Sequence, residues 1–120
     1  PIGATIHMDG SCLAAVLKIA VLFGLFGVSF TDVSTISTAA LVAILCGVVI
    51  SGIPAGGILG ETLIITMYGF PVEALPVVTM IGTLVDPPAT MVNSVGDTVA
   101  GMVVARITGG RDWEERDADA

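Results

Sequence analysis

Three helix-breaking points lie in or beside long apolar segments of this chain. They are Asp9-Gly10, the stretch Ser51-Gly52-Ile53-Pro54-Ala55-Gly56-Gly57, and Pro87-Pro88. Apolar helices of this length fit a bilayer, where every backbone N–H and C=O needs a partner. Irregular backbone survives there only where it is buried in protein or lines a cavity. Broken helices of this kind build polar sites for substrates and ions. Composition agrees, with 12% charged residues against about 25% in a soluble domain. The 15 glycines suit closely packed membrane helices.

The first apolar segment, about Cys12 to Phe30, has roughly the 20 residues a bilayer crossing needs. Its one charge, Lys18, is expected to snorkel to the headgroups. Thr31-Asp32-Val33-Ser34-Thr35 is a polar turn that can cap a new helix. The segment from Ile36 to Ile50 is helical in pattern but too short to span. Apolar helix resumes from Ile58 to about Tyr68, so the glycine- and proline-rich tip between them predicts a re-entrant hairpin rather than the alternative, a single span with a proline kink. A long helix is expected from near Val72 past Arg106, interrupted at Pro87-Pro88. The last residues hold Asp112, Glu114, Glu115, Asp117 and Asp119 beside Arg111 and Arg116, and read as a solvated tail.

Chemistry concentrates on the last helix. Asp86, Thr90, Asn93 and Asp97 step by four, three and four residues, which is one helical face. Carboxylates, an amide and a hydroxyl amid apolar residues point to a bound polar group. Asp9, Asp86 and Asp97 can each balance one monovalent cation, and broken helices supply carbonyl oxygens. Glu61 reads equally as a titrating group or as one facing a watery interface; His7 reads as a backbone-fixing side chain. Cys12 and Cys46 have no metal or disulfide spacing. No basic patch suits nucleic acid, and no catalytic triad, phosphate loop or metal cluster suits an enzyme.

Gly3-Ala4-Thr5-Ile6-His7-Met8-Asp9-Gly10-Ser11, the Gly52-to-Gly57 tip, and Asp86…Thr90-Met91-Val92-Asn93…Gly96-Asp97 together resemble the dicarboxylate/amino acid:cation symporters. Three motifs in order cover nearly the whole chain. The resemblance implies an all-α integral membrane fold from a sodium-coupled elevator transporter, multi-pass in the cytoplasmic membrane and homotrimeric at full length. The chain would be the C-terminal part of its transport domain, covering residues 1–108. A broken seventh helix would take 1–30, the second re-entrant hairpin 35–69 and the eighth helix 72–108, with a polar tail at 109–120. Its partners would be the bilayer, the first hairpin and the scaffold helices of the same transporter, and a small amino acid.

The resemblance also implies site roles. One sodium ion would meet the carbonyls of Gly3, His7 and Asn93 and the carboxylate of Asp97. A second would meet Asp9 with the side chain at position 7. A third would meet carbonyls of Thr5, Met8 and residues near Val48 to Ile50. Substrate would meet Ser11, Thr90, Asn93, Asp86 and the tip backbone at Ile53, Pro54 and Gly57. In the family the residue matching Asp86 receives the substrate's amino group and the residue matching Asn93 its α-carboxylate.

Three positions depart from the family pattern. His7 stands where Asn is usual, and Gly47 to Ser51 lacks the usual Ser/Gly/Thr-rich run. Ala89 stands where carriers of acidic amino acids have Arg. A methyl group cannot replace a bidentate guanidinium. An amine partner kept and a carboxylate partner lost predicts a neutral amino acid. The alternatives are symport of an acidic amino acid or C4-dicarboxylate, and a non-transporting membrane sensor or assembly subunit.

Overall fold

A computed structural model describes residues 7–50 and 53–109. Among these, every regular element is helical. Helix α1 spans Asp9–Leu25. Helix α2, Val33–Leu45, continues as a π-helical turn over Cys46–Ile50. Helix α3 spans Gly56–Tyr68, and a short 3-10 turn, Val72–Ala74, leads into α4, Leu75–Gly109. Two helices are long and apolar enough to cross a membrane, Val33–Ile50 and Val72–Gly109.

Local chemistry sets the helix ends. Gly27 adopts φ +64°, and Val28 N–H reaches back to the Phe23 carbonyl at 2.9 Å. Gly69 adopts φ +67°, and Phe70 N–H reaches the Ile65 carbonyl at 3.0 Å. Both are the left-handed glycine stop that satisfies a helix's last carbonyls. Helix α1 therefore ends at Leu25, short of the expected Phe30, and has 17 residues. At the start of α2, Asp32 caps by accepting from Ser34 N–H at 3.0 Å and from the Ser34 hydroxyl. Those donors hold its carboxyl below the usual range. The cap starts α2 at Val33, so with its π-helical turn this arm has 18 residues, three more than the expected Ile36-to-Ile50 segment.

The two glycine stops gather aromatic rings at one end of the bundle. Phe23 meets Phe30, Tyr68 and Phe70 edge-on at 5.2, 5.0 and 5.3 Å, and Phe26 stacks on Phe70 at 5.0 Å. The Tyr68 hydroxyl donates to the Thr35 carbonyl at 3.1 Å, tying the end of α3 to the start of α2. These two arms run antiparallel. Their turn places Pro54 before Ala55, which takes φ 60°, and Gly56 N–H closes on the Ile53 carbonyl at 3.1 Å. Proline followed by a positive φ is the type II arrangement.

Ile19, Leu22, Val42, Ile64 and Val78 form the fully buried core, one or two from each helix. Close approaches at the other end depend on missing side chains. A Cβ at Gly10 would strike the Ala89 carbonyl, one at Gly47 the Cys12 sulfur, and one at Gly56 the Ile50 carbonyl.

Two expected breaks are absent. Asp9-Gly10 is not a turn but the first turn of α1, because an acceptor on α4 caps its N-terminus. Pro87-Pro88 does not interrupt α4, which stays helical throughout. The prolines remove only the N–H groups that would serve the Thr83 and Leu84 carbonyls, and both residues are exposed. Positions 1–6, Ser51-Gly52 and 110–120, including the expected sodium ligands Gly3 and Thr5 and the acidic tail, lie outside the described residues.

Gly10→Ala should destabilise the full-length protein by about 1–3 kcal/mol, since α1 must move off α4. Gly101→Ala, with nothing within 4 Å of the added methyl, should stabilise it by roughly 0.5–1 kcal/mol. Thermal unfolding in detergent checks both; shifts of the same sign contradict this packing.

Candidate functional site

The N-terminus of α1, the end of the π-helical turn, the start of α3 and the middle of α4 surround a cleft of about 380 Å³. Asp86, Thr90, Asn93 and Asp97 all line it, so the stripe in the sequence faces one space. Across from them stand Ser11 and Met8 on the α1 side and Gly56 and Gly57 at the start of α3. Ala89 contributes to the wall from the turn that touches Gly10.

Asn93 joins the two helices. Its Oδ1 accepts from the buried Gly10 N–H at 2.8 Å, and its Nδ2 donates to the Ser11 hydroxyl at 3.2 Å. Helix α1 has no side-chain cap of its own at Met8. The first N–H groups of a helix need acceptors, and here one comes from a residue 83 positions away. The Ser11 hydroxyl donates in turn to Met8 Sδ at 4.0 Å, and the second proton on Nδ2 is the donor left for a guest in the cleft.

Asp97 sits one turn further along, with Oδ1 3.6 Å from His7 Nδ1. Asp9 lies on the other side of α4. Its carboxylate presses on Gly96, whose added Cβ would come within 3.0 Å of Oδ1. With His7 it borders a second groove lined by Met91, Val92, Val95 and Gly96. Two carboxylates thus flank Gly96 near the N-terminus of α1. Among the described residues no three His, Cys, Asp or Glu side chains converge. Ile53 and Pro54 are exposed and, against expectation, do not line the cleft, which the loop meets instead through Gly56 and Gly57.

Sequence reading missed one feature. Lys18 does not snorkel. Its ammonium donates to Glu61 Oε1 at 2.8 Å, with side chains 12% and 5% exposed. Glu61 Oε2 accepts from the Thr79 hydroxyl at 2.7 Å. The signal was present: Lys18 and Glu61 are lone charges inside two apolar segments, and charges at membrane depth pair with one another.

Asn93→Ala should lower stability by about 1–3 kcal/mol by stranding the buried Gly10 N–H. Asn93→Asp keeps an acceptor there and should cost less. Melting temperatures of the full-length protein in the order wild type, Asn93→Asp, Asn93→Ala check this.

Comparison with known proteins follows the same residues. The sodium:dicarboxylate symporter family matches residues 1–107. Excitatory amino acid transporter 2 of Homo sapiens is 33% identical over 108 residues, covering 90% of this chain and 19% of that protein. An excitatory amino acid transporter of Caenorhabditis elegans is 33% identical over 107 residues, covering 87% of this chain and 20% of that protein. Neutral amino acid transporter B(0) of Mus musculus is 36% identical over 97 residues, covering 81% of this chain and 17% of that protein. The chain spans about one fifth of the length of these relatives. No solved structure matches it.

Proposed function

We propose, for a chain that belongs to the sodium:dicarboxylate symporter family, that it forms the C-terminal part of a transport domain carrying a small neutral amino acid together with sodium. The observation that carries this reading is the charge of the cleft. Asp86 faces it, Ala89 gives it only a methyl, and its one cation among the described residues, Lys18, is already paired with Glu61. Relatives named for excitatory and for neutral amino acids match at similar identity, so the side chains decide between them.

Asp86 receives the substrate ammonium as an ion pair. Ser11, Thr90 and the second Nδ2 proton of Asn93 hold the α-carboxylate. Asp86 and Asn93 are seven residues apart, about 10 Å of helix, which a small amino acid with its contacts can bridge. The substrate side chain then meets Ala89, where a second carboxylate would be left unpaired at a cost of several kcal/mol.

Sodium is the co-transported cation. Asp97 with the Asn93 carbonyl offers it hard oxygen ligands one turn from the substrate, and Asp9 adds negative charge on the far side of Gly96. Roles for Gly3 and Thr5, and for carbonyls of His7 and Met8, extend the same reading. The antiparallel arms within 35–69, with Ile50 and the start of α3 at the cleft, support a re-entrant hairpin that gates it. The full-length protein is then a multi-pass homotrimer of the cytoplasmic membrane working as an elevator.

Uptake into proteoliposomes holding the full-length protein tests the reading. An inward sodium gradient should drive saturable uptake of alanine, serine or threonine and not of aspartate. Saturable aspartate uptake without neutral uptake overturns it. Asp86→Asn should raise the KM for alanine by about ten- to a hundredfold, at 1.4 kcal/mol per tenfold. Asp97→Asn should instead raise the sodium concentration needed for half-maximal uptake by about tenfold or more on the same scale.

A further inference from the structure

The cleft wall holds a charge that the proposed chemistry does not use. Lys18 lines the cleft and Glu61 does not, so the acid sits behind the base. Glu61 has both oxygens engaged, one by the Lys18 ammonium and one by the Thr79 hydroxyl. Three helices therefore meet at this pair: α1 through Lys18, α3 through Glu61 and α4 through Thr79. Gly82 makes the room for it. A Cβ there would collide with Glu61 Oε1 and come within 2.9 Å of Lys18 Nζ.

Gly82 lies four residues before Asp86 on the same face of α4, about 6 Å away. The Lys18 ammonium thus sits one turn from the carboxylate assigned to the substrate amine. An ammonium has three protons, and Glu61 takes one. A buried ion pair holds helices no better than apolar side chains of the same volume. Its position on the cleft wall points to a task in the cleft.

We infer that Lys18 is a specificity-determining residue, and that Glu61, held by Thr79, masks its charge so that the cleft rejects acidic side chains. The inference rests on the cleft being the amino acid site. With the Glu61 carboxylate in place, the pair carries no net charge and a neutral side chain fits beside it. When the Glu61 charge is removed, Lys18 offers an anionic group the partner that Ala89 withholds.

The full-length protein in proteoliposomes under a sodium gradient tests this through the KM for alanine and for aspartate. Glu61→Gln should lower the aspartate-to-alanine KM ratio at least tenfold. Gly82→Ala, which forces the pair apart with both charges present, should move the ratio in the same direction. Lys18→Gln with Glu61→Gln should cancel the gain. An unchanged ratio in both Glu61→Gln and Gly82→Ala overturns the inference while leaving neutral transport intact. A gain that survives in the double variant overturns it too. Loss of alanine transport in both single variants without any aspartate uptake assigns the pair to holding the helices, and also overturns it. Wild-type uptake of aspartate but not alanine defeats the neutral-substrate reading itself, and this inference with it.

Discussion

The meeting of α1 with α4 at Gly10, Ala89 and Asn93 governs the rest of the structure. Gly10 has no side chain, so its backbone rests on the Ala89 carbonyl. That closeness lets Asn93 Oδ1 cap a buried helix N-terminus at 2.8 Å. The same amide is oriented by the same bond, and its Nδ2 donates to the Ser11 hydroxyl at 3.2 Å. Everything polar in the cleft is referred to this crossing. Asp86 lies two turns before Asn93 and Asp97 one turn after it.

The crossing also gives a physical route for coupling. In the proposed function, a cation held by Asp97 and Asp9 would bind beside the α1 N-terminus and settle the segment that Asn93 caps. A substrate carboxylate held by Asn93 and Ser11 would settle the same segment from the other side. Each ligand removes part of the ordering cost for the other, and such coupling is reciprocal in free energy. At the opposite end the aromatic cluster and the Tyr68–Thr35 bond tie the helices together. At the cleft end the chain spends its less usual backbone, a π-helical turn at Cys46–Ile50 and a left-handed Ala55.

Much of this was legible in the sequence because it is local. The stripe from Asp86 to Asp97 needs only helical periodicity to be seen as one face. The all-α architecture needs only apolar runs separated by Gly and Pro, and the motifs around Asp9, Pro54 and Asn93 point to the family. Illegible parts depended on partners far along the chain. Asp9-Gly10 reads as a turn until Asn93, more than 80 residues later, supplies a cap. Pro87-Pro88 reads as a break until α4 is seen to leave both residues exposed. Lys18 reads as a snorkelling residue until Glu61 is found 2.8 Å away, with Gly82 vacated for both.

Linkage between the two ligands is the most direct measure of this account. Alanine affinity of the full-length protein, followed by titration calorimetry across a range of sodium concentrations, should rise steeply with sodium. Sodium affinity should rise by the same factor when alanine is saturating. Alanine affinity that is the same with and without sodium would contradict the account at its centre.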